Sequence, residues 1–361
     1  MTNERRYQLQ SQKTNRQIEE LLDGLRVDGE RRTYYAQMLT TILKMLEDGA
    51  DLGDIKIANT TLKELRYAFK VFDAYRGVPK VTVFGSARTP PEDPISAQAL
   101  SFARRMVECG WMVVTGAGGG IMGAAQEGAG RERSFGLNIK LPFEQEANPW
   151  IAEDPKLINF KYFFTRKLFF LKEASAACLF PGGFGTFDEA FEMLTLIQTG
   201  KNPIIPVVFL DVPGGRYWRA WERLIYEEMV ERALIDPDDT CLFWITDDVE
   251  RAAAEIVGFY RNYHSSRFVG DDLILRLQHR LSPDTLSGLS AAYADILKGP
   301  IEQLRGPLPA EGEEWPDLWR LLLPFNRSRY GRLRGLIDAV NRAPAGADLV
   351  SAQVDSVFTN L

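Results

Sequence analysis

Three patterns of apolar and polar positions follow one another along the chain. Up to residue 77, apolar residues recur at helical spacing. Ile18, Leu21, Leu22 and Leu25 form one stripe, and Tyr35, Met38, Leu39, Ile42, Leu43 and Leu46 form a second. No proline interrupts this stretch. Thr61 and Glu64 have the spacing of a capping box ahead of a helix running to about Tyr75. Segment 1–77 is therefore expected to be a helical extension. From Val78 the period changes. Short apolar runs at 81–84, 111–115, 135–141, 176–180, 204–210 and 242–245 predict strands. Helical stretches near 95–109, 121–131, 163–174, 186–199, 216–233 and 247–262 alternate with them. Such alternation implies right-handed crossovers and a parallel sheet covered on both faces, and near-continuous apolar strands fit that burial. The expected fold class of 78–264 is α/β: a doubly wound, Rossmann-like parallel sheet. After about Phe268 the pattern reads as helical again, with Ser282-Pro283 as N-cap and first helical residue of a helix to Leu297. Residues 299–316 read as a linker and 315–341 as a last helical segment with a basic run, Arg327 to Arg334. Segment 265–361 is thus expected to be a helical C-terminal extension.

Composition narrows the function. Of 361 residues, 45% are hydrophobic and 25% charged, the balance of an ordinary globular protein. Lys and Arg number 43 against 49 Asp and Glu, a formal charge of −6, which argues against broad polyanion binding and hence against a nucleic-acid partner. A small anion stays open, since one helix terminus can hold a phosphate. No run of about 18 apolar residues suggests a membrane span, and the first residues lack the apolar core of a signal peptide. A cytoplasmic location is expected. Three scattered cysteines and two histidines offer neither a disulfide framework nor a metal site.

Glycines supply the candidate chemistry, and they fall where ligands bind in such sheets, beyond the carboxyl ends of strands. Gly85-Ser86-Ala-Arg88 follows the first strand, where a plain strand-to-helix turn would explain it as well as an anion contact. Thr115-Gly-Ala-Gly-Gly-Gly-Ile-Met-Gly123 follows the second and opens a helix. Five glycines in eight positions are costly to order, and free amides at a helix start make a phosphate cradle. Gly118, Gly120 and Gly123 also fit the dinucleotide fingerprint, with Glu144 as the acid about twenty residues on. That fingerprint normally follows the first strand of its sheet, so a nicotinamide-dependent oxidoreductase is the weaker reading. Pro181-Gly-Gly-Phe-Gly-Thr-Phe-Asp-Glu189 follows the fourth predicted strand. Thr186 and Glu189 could be only a capping box, which leaves Gly182, Gly183 and Gly185 unexplained. Arg166 and Lys167 sit inside an aromatic helix, where they form either a structural salt bridge or an anion contact.

Taken together, these motifs resemble the LOG ("Lonely Guy") family of nucleoside 5′-monophosphate phosphoribohydrolases, whose members have often been labelled lysine decarboxylases. The resemblance covers about residues 78–262. It implies hydrolysis of the N-glycosidic bond of a nucleotide such as AMP or a cytokinin riboside monophosphate, giving free base and ribose 5-phosphate, with no cofactor. Carried over residue by residue, Arg166 and Glu189 match the catalytic pair. Ser86, Gly118, Gly119, Gly120, Glu144, Lys167, Gly182, Gly183, Gly185, Thr186 and Thr195 match substrate contacts. A family histidine before the Arg-Lys pair is absent, since Phe164-Thr165 stand there, and Asp188 replaces a glutamate. The resemblance also implies a homodimer or higher homo-oligomer formed by the motif-bearing helices. A non-catalytic nucleotide-binding or cofactor-carrier protein on the same fold is the alternative. Pyridoxal-phosphate chemistry would need a Schiff-base lysine, and no lysine stands out by context.

Overall fold

The structure is a computed structural model that describes residues 8–140 and 146–344. By its contacts the chain divides between Arg66 and Tyr67. On the N-terminal side lie α1 (Gln12–Gly24), α2 (Gly29–Glu47) and most of α3 (Leu52–Asp73). Their small core joins Leu9, Ile18 and Leu22 to Val27, Ala36, Leu39 and Leu43. Leu21, Leu25, Tyr35, Met38, Ile42 and Leu46 of the two predicted stripes are exposed instead. The expected helix start at Thr61 is corrected, because α3 runs unbroken from Leu52 and places Thr61 mid-helix. Asp51 serves the start, accepting from the Asp54 amide at 2.9 Å.

On the other side, apolar and β-branched runs form the strands of a seven-stranded sheet. In chain order the elements are β1 (Lys80–Phe84), α4 (Pro94–Glu108), β2 (Met112–Thr115), α5 (Ile121–Ala129), β3 (Ser134–Ile139), β4 (Leu157–Phe160), α6 (Phe163–Lys172), β5 (Ala176–Leu179), α7 (Phe184–Gln198), β6 (Val207–Leu210), α8 (Tyr217–Leu224), β7 (Trp244–Thr246) and α9 (Val249–Phe259). All neighbouring strands are parallel, in the order β4-β3-β2-β1-β5-β6-β7. The doubly wound α/β expectation is met, with β4 as an unforeseen edge strand. The order reverses between β1 and β5. At such a switch point the connections leave in opposite directions and open a crevice beyond the strand ends. Aromatic side chains fill the space between layers. Phe72 stacks on Phe135 at 4.5 Å, and Phe209 lies 4.6 Å from both Trp218 and Trp221.

The C-terminal segment departs from its predicted helical character. It contains β8 (Tyr263–Val269), β9 (Asp272–Leu277), α10 (Pro283–Ala292), β10 (Glu302–Arg305), β11 (Trp319–Leu323) and α11 (Tyr330–Arg342). The four strands form an antiparallel sheet in the order β10-β11-β9-β8. Leu-rich runs such as Asp272–Leu277 and Trp319–Leu323 are too short for periodicity to separate strand from helix, and antiparallel pairing decided the outcome. Within this sheet the buried Glu311 carboxylate accepts from Arg276 at 2.7 Å and Arg320 at 3.2 Å. Buried His264 lies beside them, its ring 4.5 Å from that of Trp315. Ser282 caps α10 as predicted, accepting from the Thr285 amide at 3.1 Å. The basic run is occupied within the chain: Arg329 and Arg332 pair with Asp295, and Arg334 with Glu255.

Candidate active site

Beyond the β1 and β5 ends lies a cavity of about 680 Å³, within the range of sites for small ligands. Its walls include Ser86 and Arg88 after β1, Gly116 after β2, and Phe163, Arg166 and Phe170 of α6. Gly183, Gly185, Thr186, Phe187 and Glu189 at the start of α7 complete it. The rest is apolar, supplied by Phe84, Met122, Ile139 and Phe184.

The glycine turns are fastened to one another. Gly120 has φ of +59°, and a Cβ there would lie 2.3 Å from the Ser86 carbonyl oxygen. Only glycine lets that carbonyl accept the Ile121 amide at 3.0 Å, which opens α5. Across the crevice, the Ser86 amide donates to Pro181 O at 3.2 Å. A Cβ on Gly182 would lie 3.0 Å from the same Ser86 nitrogen. Asn148 pins the second turn, donating from its side chain to Gly118 O at 2.9 Å and to Gln126 Oε1 at 2.6 Å.

Gly183 and Gly185 behave differently. A Cβ at either would meet nothing within 4 Å. Packing within the chain therefore does not require glycine at these positions, while close approach of a ligand to the backbone would. α7 begins at Phe184 with Gly183 as N-cap and no side-chain cap. The capping-box reading of Thr186 and Glu189 is thus overturned. Thr186 lies inside the first turn, and the buried Glu189 belongs to the next one, free of any capping duty. The amides of Phe184 and Gly185 precede the first bonds the helix can make, so the turn presents donors and the positive end of the helix dipole.

Arg166 and Glu189 meet at this end of the sheet, from α6 and α7. Their nearest atoms, Nη2 and Oε1, are 3.9 Å apart, beyond a direct hydrogen bond. The Arg166 guanidinium lies between the rings of Phe163 and Phe170, at 5.0 and 5.4 Å. Its Nε is buried without a hydrogen-bond partner. Burial pulls Arg166 below its ordinary pKa despite the attraction of Glu189 and Asp188. Burial likewise pushes Glu189 up to about 7, outweighing the opposing pull of Lys167 and Arg166. Both shifts run against ion pairing, so desolvation exceeds the attraction the pair recovers. A buried acid poised near neutrality beside an unsatisfied cation marks a functional site.

Of the residues expected at the site, Ser86, Arg166, Gly183, Gly185, Thr186 and Glu189 line the cavity. Gly118, Gly119 and Gly120 do not line it, Gly116 being the residue of that turn that does; Gly182 packs against Ser86 across the crevice. Lys167 does not face the cavity. Its amine bridges Asp188 at 2.8 Å and Glu192 at 2.7 Å, fixing α6 to α7. Thr195 is exposed about three turns along α7 and does not line the cavity. Glu144 lies outside the described residues. The sequence reading missed Asn148 and Tyr217; Tyr217 donates from its hydroxyl to Gly182 O. Neither belongs to a glycine motif, so nothing local marked them. Among the described residues, no cluster of His, Cys, Asp and Glu could hold a metal ion. No described helix is long and apolar enough to cross a membrane.

Residues 122–256 match a family model described as "Possible lysine decarboxylase". A curated relative from Oryza sativa subsp. japonica, named "Probable cytokinin riboside 5′-monophosphate phosphoribohydrolase LOG4", is 28% identical over 174 residues. The match covers 47% of this chain and 73% of that protein. Two solved structures are also matched. One is a molybdenum cofactor binding protein from Rippkaea orientalis, with 17% identity, TM-score 0.36, and cover of 50% of this chain and 95% of that one. The other is the molybdenum cofactor carrier protein of Chlamydomonas reinhardtii, with 21% identity, TM-score 0.35, and cover of 49% and 94%. Likeness at that level carries nothing further. The family match spans the stretch that holds Arg166, the third glycine turn and Glu189, and the chain is similar there to proteins of the LOG family.

Proposed function

We propose that the protein hydrolyses the N-glycosidic bond of a purine nucleoside 5′-monophosphate, of the AMP or cytokinin riboside type. The observation that carries the reading is the Arg166–Glu189 pair in the switch-point cavity, with Glu189 poised near 7. The activity named for the rice relative supports the substrate class. In this reading the 5′-phosphate docks on the amides that open α7 and fixes the ribose by binding energy remote from the reacting bond. The C1′–N bond breaks, the base leaves with the electron pair and takes up a proton from solvent, and positive charge develops on the ribose ring, as in glycoside hydrolysis. The Glu189 carboxylate stabilises that charge and accepts the proton of the attacking water, whose oxygen bonds to C1′. Arg166 steadies the anionic groups around it. A buried acid near pH 7 suits such work because both its protonation states are accessible.

The exposed aromatic surface supports a homo-oligomer built on α6 and α7. Phe184, at the mouth of the cavity, is 96% exposed, and Phe163, Phe164 and Leu168 are also exposed. A set of apolar side chains so open to water fits burial by a second copy of the chain. The test is a panel of nucleoside monophosphates scored by chromatography for free base and ribose 5-phosphate. Release of base from at least one of them is expected. Tight binding without any release would favour a carrier, and no binding would defeat the reading.

A further inference from the structure

The turn that opens α7 holds an orientation problem which its own residues do not solve. Gly182 and Gly183 adjoin, and a peptide between two glycines can turn over with little steric penalty. In a planar trans peptide the carbonyl and the following N–H point in opposite directions. If the Gly182 carbonyl faces away from the cavity, the Gly183 amide faces the cavity side. If the peptide turns over, an oxygen replaces that donor and repels an anion.

The third element at this point is α8. Tyr217, its first residue, donates from its hydroxyl to Gly182 O. Its ring stacks on Phe187 of α7, with centroids 6.1 Å apart and planes 25° from parallel. Its backbone is itself anchored. Asp211, just after β6, accepts the Val212 amide at 2.9 Å on one carboxylate oxygen and the Tyr217 amide at 3.0 Å on the other. Gly215 leaves room for that carboxylate, since a Cβ there would lie 2.3 Å from Asp211 Cγ. The sheet end, the Asp211 carboxylate and the Tyr217 hydroxyl thus form a chain that ends on one carbonyl of the glycine turn. Tyr217 does not line the cavity.

We infer that Tyr217 is a positioning residue that holds the Gly182–Gly183 peptide in its anion-binding orientation, so that it sets affinity for the phosphate end of the substrate without touching it. This rests on the nucleotide-hydrolase reading above. Asp211 acts one step earlier by fixing where the Tyr217 hydroxyl sits.

The test is Tyr217→Phe, which keeps the ring and its stacking and removes only the hydroxyl. A hydrogen bond of ordinary net strength, lost from the ground and transition states alike, should raise KM for the nucleotide about tenfold. The inhibition constant of ribose 5-phosphate should rise by the same factor, with kcat held within about threefold and Tm lowered by no more than about 3 °C. Binding of the nucleoside lacking the phosphate should not move. Unchanged KM and inhibition constant would overturn the inference while leaving the hydrolase intact. A fall in Tm well beyond about 3 °C, or a loss shared equally by nucleotide and nucleoside, would overturn it in favour of a purely structural role. If the wild-type protein itself neither binds nor cleaves any nucleoside monophosphate, the underlying reading fails first, and that result is distinct from the others.

Discussion

Glu189→Gln removes the carboxylate charge while keeping the size of the side chain, and the structure gives it opposite effects on rate and stability. On rate, a full negative charge about 4 Å from a full positive charge is worth about 4 kcal/mol at an effective dielectric near 20. An oxocarbenium-like transition state carries part of that charge on the ring. Half of it corresponds to about 2 kcal/mol, or roughly thirtyfold in rate. Loss of proton acceptance from water removes a further factor of about a hundred or more. A fall in kcat of at least about a hundredfold is therefore expected. Nucleotide affinity should be retained or improved, since a negative charge beside the phosphate disappears.

On stability, the folded protein holds this carboxyl at about 7 against an ordinary 4.5, net of its attraction to Arg166 and Lys167. The ionised group then costs the fold about 3 kcal/mol. Because the folded pKa is the higher one, the cost is absent below about pH 4.5, grows between there and pH 7, and is complete above. Glutamine resembles the protonated acid at every pH. Tm of the variant should thus exceed wild type by about 6 °C at pH 8, at roughly 2 °C per kcal/mol, and match it at pH 4.5. Calorimetry at the two pH values, with base release scored at pH 7.5, measures both arms. Near-normal turnover in the variant would refute the catalytic assignment. An equal Tm at pH 8 would refute the burial argument behind it.

Other consequences are as direct. kcat/KM of the wild type should rise with pH through an inflection near 7, above the value of about 6 for a phosphate's second ionisation, because Glu189 works as the carboxylate; a flat profile from pH 5.5 to 8.5 would contradict this. Gly120→Ala should lose both stability and nucleotide binding, since its Cβ would strike Ser86 O in a backbone with φ of +59°; wild-type Tm and KM would show that the turn is not held there. His264 is lowered to about 4, by burial first and then by Arg276 and Arg320. The unfolded chain therefore binds the extra proton between about pH 6.5 and 4, and the C-terminal sheet should weaken as pH falls through that window by about 3 kcal/mol in all. His264→Gln should flatten this dependence, as read by hydrogen exchange in β8 and β9.

Where the sequence carried a strong period, it forecast the structure. The six predicted strands of the parallel sheet are there because buried strands must be apolar along their length. β4 escaped because its sequence, Leu157-Ile-Asn-Phe160, has four residues and is interrupted by Asn159. The C-terminal sheet escaped because Arg276 and Arg320 interrupt its apolar runs, and only the fold shows that Glu311 pairs with both and Glu314 with Arg276. Thr61 shows the opposite failure, a capping motif inside a helix whose packing carries it through. At the site, the glycines and the Arg-Lys pair were legible because few other tasks need them. The division of labour between Arg166 and Lys167 was not. Which of two adjacent cations faces the cavity depends on how α6 is rotated against α7, and local sequence does not encode that.

The pairing of β1 with β5 sets a constraint on how the protein reaches its working state. Val81 must find Ala176, and Phe84 must find Leu179, across the whole of the first half of the sheet. Closing so long a loop costs entropy before any contact repays it. The crevice does not exist until that pairing is made, however well each glycine turn forms alone. During synthesis, a nascent chain that ends before β5 emerges exposes one apolar edge of β1 and carries no site. Acquisition of nucleotide binding should therefore coincide with completion of the sheet, which makes ligand binding a late marker of folding in this chain.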